Sequence, residues 1–123
     1  MDKIRIVTNN PLVKSEHPDC AELLDGGTED VLIRVRDYMH KGAKLLTHPS
    51  SGGTMPGENP YKSLVVSGIG TGEPATADAM ALALIEDAIR LTKKTPDGFI
   101  GYNEKTLEDF RVIDLDLLNS AMT

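Results

Sequence analysis

Tryptophan is absent from this 123-residue chain, which has only two phenylalanines and three tyrosines. Its core must therefore be built from Val, Leu, Ile, Ala and Met, and nucleic-acid binding through a platform of stacked aromatics is excluded as a main role. Clustered basic residues are missing too. Thirteen Lys and Arg against 19 Asp and Glu leave a net charge of −6, with no basic stripe to meet a phosphate backbone. A lone cysteine, Cys20, cannot close an intramolecular disulfide, which fits a reducing compartment. No run approaches the roughly 18 apolar residues of a membrane span. The opening Met1-Asp2-Lys3-Ile4-Arg5-Ile6-Val7 carries charge too early for a signal peptide. A cytoplasmic location is expected, with no nucleic-acid and no membrane partner.

What is present describes an ordinary globular domain: 40% hydrophobic and 26% charged residues, at a length suited to one domain. Ile4, Ile6 and Val7 form a β-branched run stopped by the turn residues Thr8-Asn9-Asn10-Pro11, so Lys3 to Thr8 reads as a central strand. Pro11 to His17 has room for one or two helical turns, with Pro at the first helical position. Ala21 to Leu24 is either a second strand or an irregular connection. Glu29 to Lys41 reads as a helix, with Thr28 as its cap, acidic residues in the first turn, and Val31, Leu32, Val35, Tyr38 and Met39 on one face.

Lys44 to Thr47 reads as a strand that ends at His48-Pro49. The stretch from Ser50 to Pro60 is rich in Gly, Pro and Ser and forms a loop of about a dozen residues, long enough to draw attention as a functional segment. Tyr61 to Ser67 is the next strand, and because no helix fits in the loop it can pair antiparallel with its predecessor, giving a mixed sheet. A long helix runs from Thr76 to about Lys94, its inward stripe read as Met80, Leu84, Ala88 and Leu91 with Ala77, Ala81 and Ile85. Phe110 to Asp114 reads as a last short strand before a terminal helical turn at Leu115 to Ala121. The expected fold is a single α/β domain over residues 1–123: a mostly parallel or mixed sheet of four to five strands with helices on its faces, Rossmann-like in its layering.

Two glycine-rich stretches imitate nucleotide loops and fail. Gly68-Ile69-Gly70-Thr71-Gly72 sits between a strand and a helix, but Glu73 stands where the third glycine of a dinucleotide fingerprint belongs. The spacing of Gly52 and Gly57 matches a P-loop until Glu58 and Asn59 replace the required Lys and Ser or Thr. His17, His40 and His48 share no metal-ligand spacing with one another or with Cys20, so neither metal nor cofactor is expected. His40 suits the C-terminal end of a helix dipole, and Cys20 reads as a small, partly buried hydrophobe.

The candidate site gathers where strands end. If the first and third strands are parallel neighbours, Asn9 and Asn10 come beside His48, with Ser50, Ser51, Tyr61 and Lys62 around the long loop. Amide, imidazole, hydroxyl and ammonium groups together suit a small carboxylate or phosphate and can support acid–base chemistry, His48 titrating near neutrality. The competing structural account is that Asn9-Asn10-Pro11 and His48-Pro49 pin turns through side-chain to backbone hydrogen bonds. No carboxylate is placed to orient His48, so a serine-type triad is not supported.

Four ordered segments carry a resemblance over roughly residues 4 to 94: Thr8-Asn9-Asn10-Pro11-Leu12-Val13; Asp30-Val31-Leu32 to Val35-Arg36-Asp37 with His40-Lys41-Gly42; Leu45-Leu46-Thr47-His48-Pro49; and Asn59-Pro60-Tyr61-Lys62-Ser63. Together they look like the GrdX family, whose members accompany the glycine, sarcosine and betaine reductase gene clusters of amino-acid-fermenting anaerobic bacteria. The chain departs from that pattern at Ala43 and Ser50. The family has no established reaction and no catalytic residues to transfer. The resemblance implies an accessory or regulatory protein of the reductase system that binds a small ligand or a protein partner, with reductase components and a small anionic metabolite as the expected partners. The alternatives are a small enzyme acting on an amino-acid-derived acid around Asn9, Asn10 and His48, and a structural homodimer that pairs through the long apolar helix.

Overall fold

The computed structural model describes residues 4–48, 59–68, 79–94 and 101–122. In chain order the elements are β1 (Ile4–Thr8), α1 (Pro11–Glu16), β2 (Ala21–Leu23), α2 (Thr28–His40), β3 (Lys44–Leu45), β4 (Ser63–Ser67), α3 (Ala79–Lys93) and α4 (Glu104–Met122). The four strands form one sheet in the order β2-β1-β4-β3. β1 runs parallel to β2 and antiparallel to β4, and β3 pairs antiparallel with β4. The sheet is therefore mixed, and the expected antiparallel pairing across the long loop is present.

Because side chains alternate across a strand, β1 and β4 feed two cores. Val7, Leu64 and Val66 meet Val31, Leu32, Val35 and Met39 of α2 and Ile85, Ala88 and Ile89 of α3. Ile6 and Val65 point the other way, into a smaller cluster with Val13 of α1, Ala21 of β2 and Leu118 of α4, where Cys20 packs partly buried. Burial on both faces explains why these central strands are nearly continuous apolar runs. The free edge of β2 is blunted: the Ala21 amide donates to His17 O at 2.9 Å, and the Lys14 ammonium donates to Ala21 O at 2.9 Å.

Helix α2 buries the five apolar residues expected of it. Its cap lies one residue earlier than read from sequence. Gly27 occupies the position, and the Asp30 carboxylate accepts from the Gly27 amide at 2.9 Å, which leaves Thr28 as the first helical residue. At the other end Gly42 has φ +102°, a left-handed conformation that favours glycine, while the Ala43 amide closes on Tyr38 O at 3.0 Å.

Two expectations are corrected. The buried face of α3 is formed by Ile85, Ala88 and Ile89, with Ala81 and Leu82 packed against them, whereas Met80, Leu84 and Leu91 are exposed at 75, 39 and 48%. An alanine- and leucine-rich helix offers apolar residues on several faces, and contact with α2 selects one of them. The helix start at Thr76 and Ala77 lies outside the described residues.

The second correction concerns Phe110 to Asp114, which is the interior of α4 and not a strand. Asn103 caps this helix, accepting from the Thr106 amide at 2.9 Å. Helical spacing brings Asp114 and Leu118 inward and leaves the β-branched pair Val112 and Ile113 exposed. Such residues lower helix propensity by tenths of a kcal/mol, too little to outweigh a cap and a buried face.

Candidate functional site

β1 ends at a buried polar knot. Thr8 and Asn10 are fully buried, and Asn9, Ser63 and Asp114 are nearly so. The carboxamide of Asn10 is used on every side. Its oxygen accepts from the Leu12 amide at 3.0 Å and caps α1, and its nitrogen donates to Arg111 O at 2.9 Å and to Asp114 Oδ2 at 3.0 Å. Asn9 is engaged in the same way, donating to Gly26 O at 3.0 Å and Pro60 O at 2.9 Å and accepting from the Lys62 amide at 2.9 Å. These two amides tie β1 to the loop before α2, to the start of β4 and to α4, a span of the chain that no local turn would cover.

A directed chain of hydroxyls lies beneath them. Ser63 Oγ donates to Asp114 Oδ2 at 2.7 Å. Its single proton is thereby used, so Thr8 Oγ1 must donate across the 2.7 Å contact to Ser63 Oγ. Thr8 Oγ1 in turn accepts from the Asn10 amide at 3.0 Å. Every proton in the relay points toward Asp114.

Asp114 and Lys62 carry the electrostatics. Burial pushes the Asp114 carboxyl above the ordinary aspartate range, against the hydrogen bonds from Asn10 and Ser63 and the charge of Lys62. Burial likewise holds the Lys62 ammonium below the ordinary lysine range, partly offset by Asp114. Each group is disfavoured in its charged form and supported by the other. Around them Asn59 accepts from the Tyr61 amide at 2.9 Å and donates to Phe110 O at 3.2 Å. Arg111 donates to the Tyr61 hydroxyl at 2.9 Å while stacking over its ring at 5.6 Å. Arg111 also donates to Glu104 Oε1, so the anion-binding and proton-exchanging chemistry of the cluster falls to Lys62 and Asp114.

A pH profile checks this. Asp114's folded pKa lies above 3.8, the value of a free aspartate, so its stabilising contribution is complete below that value and is lost as pH rises through the folded pKa. Compared with Asp114→Asn, the native protein is expected to lose stability as pH rises from 3.8 and then to level off. The slope is at most about 1.4 kcal/mol per pH unit, the limit for one proton. Urea unfolding at stepped pH measures the difference, and a gap that changes in the opposite sense would show the carboxylate to be the favoured native form.

The structure brings together Asn9, Asn10, Tyr61 and Lys62 of the residues singled out from sequence. His48 follows β3, which is not the neighbour of β1, because β4 lies between them. The parallel adjacency of the first and third strands is therefore corrected: two strand spacings, about 9–10 Å, separate their ends. His48 is exposed beyond the end of β3, and the network runs through α4 instead. Ser50 and Ser51 lie outside the described residues. The sequence pattern does not single out Thr8, Ser63, Arg111 or Asp114. The signal for the last two was the helical spacing of Leu107, Arg111, Asp114 and Leu118 after Asn103, masked by the β-branched pair between them. Among the described residues no group of three His, Cys, Asp or Glu is placed to hold a metal ion, and no helix is long and apolar enough to cross a membrane.

A family model described as GrdX-like protein matches residues 5–123, nearly the whole chain. The chain belongs to the GrdX-like protein family. No curated protein matches it, and no solved structure does. In this GrdX-like protein the segments Thr8 to Val13 and Asn59 to Ser63, distant in sequence, meet through the Thr8–Ser63 and Asn9–Lys62 contacts. The match also extends through α4, which supplies Asp114 and Arg111 to the same knot.

Proposed function

We propose that this GrdX-like protein is an accessory or regulatory component of the glycine, sarcosine and betaine reductase system, and that it acts by binding a small anionic metabolite at the end of β1. The connection to the reductases rests on the family name. The observation that supports a ligand site is the buried Asp114, held by Asn10 and Ser63, with the half-buried Lys62 nearby at the end of the central strands of an α/β sheet, where such folds seat ligands. Burying a carboxylate is a poor route to stability, and perturbed titratable groups of this kind concentrate at functional sites. Lys62, beside Tyr61, supplies the cationic contact, the charge of Arg111 being balanced by Glu104. Asn9 and Asn10 hold the surrounding backbone in place.

Thermal unfolding of the intact chain with glycine, sarcosine, betaine, acetyl phosphate and nucleotides tests the reading. A ligand at a hundred times its dissociation constant is expected to stabilise the native state by about 2.7 kcal/mol, and Lys62→Gln is expected to abolish that gain. Affinity capture from cells grown on glycine is expected to recover reductase components. If no compound stabilises the protein and capture yields neither a reductase component nor a metabolite, the proposal fails.

A further inference from the structure

A second charged cluster lies apart from the Lys62–Asp114 knot, on the α2 side of the sheet at its β2 edge. Arg5 of β1, Glu22 of β2, and Arg34 and Tyr38 of α2 converge on one phenol. Arg5 Nη1 donates to the Tyr38 hydroxyl at 2.7 Å and Arg34 Nη2 donates to it at 2.9 Å, while that hydroxyl donates to Glu22 Oε1. Arg34 Nε reaches Glu22 Oε2 at 2.7 Å, and Arg5 Nη1 reaches Glu22 Oε1 at 3.3 Å. Both guanidinium groups also stack on the Tyr38 ring, 5.5 and 4.5 Å from its centroid. Tyr38 is buried, so the platform beneath the arginines is fixed.

Two like charges are thus held within two hydrogen-bond lengths of each other with one carboxylate between them. Burial works against ionisation of Glu22, but the hydrogen bonds from Tyr38 and Arg34 and the charges of Arg34 and Arg5 outweigh it and keep the carboxyl below its ordinary range. Glu22 therefore balances one arginine and leaves a surplus positive charge. Asp30 and Asp37, on the same helix, make no ion pair with either guanidinium among the described residues. The remaining donors face outward: the side chains of Arg5 and Arg34 are 43 and 40% exposed. Among the described residues nothing accepts from Arg5 Nε or Nη2, or from Arg34 Nη1. An ion pair built only to hold β1, β2 and α2 together would need one arginine for its one carboxylate. Two guanidinium groups with preset planes and outward N–H groups match the paired oxygens of a carboxylate or phosphate.

We propose that Arg5 and Arg34, set side by side by Tyr38 and Glu22, form an oxyanion-binding site that takes the carboxylate or phosphate group of a small ligand. The site is independent of the one at the end of β1 and shares no residue with it.

The test is a titration of the full-length protein with inorganic phosphate and, separately, with acetate, at constant ionic strength, followed by NMR at the Nε–Hε groups of both arginines. Saturable shifts at Arg5 and Arg34 are expected. Arg34→Gln is expected to weaken the binding by at least about tenfold, since a hydrogen bond to a charged group is worth a decade or more in affinity. Should that variant not fold, Arg5→Lys keeps the charge but loses the fork, and the same weakening is expected. Saturation by phosphate alone assigns a phosphate ligand, and saturation by acetate alone assigns a carboxylate. Linear, non-saturating shifts with both ions, equal binding in wild type and variant, or saturation seen only around Lys62 would each overturn the proposal.

Discussion

Replacing Asn10 by Ala is expected to cost about 3 kcal/mol of unfolding free energy. The side chain caps α1, a role worth about 1 kcal/mol, and donates to the buried Asp114, a hydrogen bond to a charged group worth about 1.5–3 kcal/mol. Its loss also strips the Arg111 carbonyl of a donor. Asn10→Ser separates these contributions, because a serine keeps a capping oxygen but is too short to reach α4. Serine should recover only about 1 kcal/mol. Urea unfolding of both variants measures the partition, and a serine variant as stable as the native protein would show that Asn10 serves α1 alone.

The second large effect concerns α3. Ile85 is fully buried between α2 and the sheet, and neighbouring Leu84 is 39% exposed. Ile85→Ala is expected to lower stability by about 2–5 kcal/mol through lost burial and the cavity left behind. Leu84→Ala should cost under about 1 kcal/mol. The reverse order would restore the stripe of Met80, Leu84 and Leu91 as the inward face.

These two sites mark where the sequence is legible and where it is not. The strand Ile4–Thr8 and the helix Thr28–His40 combine propensity, periodicity and end signals that agree, and both were readable to within a residue or so. The antiparallel return after the long loop followed from chain length alone. On α3 the apolar residues are too evenly spread for periodicity to choose a face. On α4 a short β-branched run outweighed the signals around it, because the cap at Asn103 and the inward spacing of Asp114 and Leu118 extend over more than a dozen residues while a strand is judged over five. The site shows the same division. Asn9, Asn10, Tyr61 and Lys62 were visible because polar residues at strand ends are conspicuous. Asp114 is hidden inside a segment whose β-branched residues resemble a strand, and Thr8 and Ser63 look like ordinary strand residues.

Local rules are thus enough to establish one acidic α/β domain, its main strand and helix, and the mixed sheet. They act over a few residues, where the chain's own stereochemistry and hydrophobic spacing decide. Strand order, the inward face of α3 and the meeting of residues 8–10 with residues 62, 63, 111 and 114 were decided by tertiary packing. The insertion of β4 beside β1 separates β3 from the strand that carries the asparagines, and the docking of α4 on the sheet delivers a carboxylate from a hundred residues away. Those outcomes depend on which surfaces exclude water together, and a preference read one segment at a time contains no information about its partner.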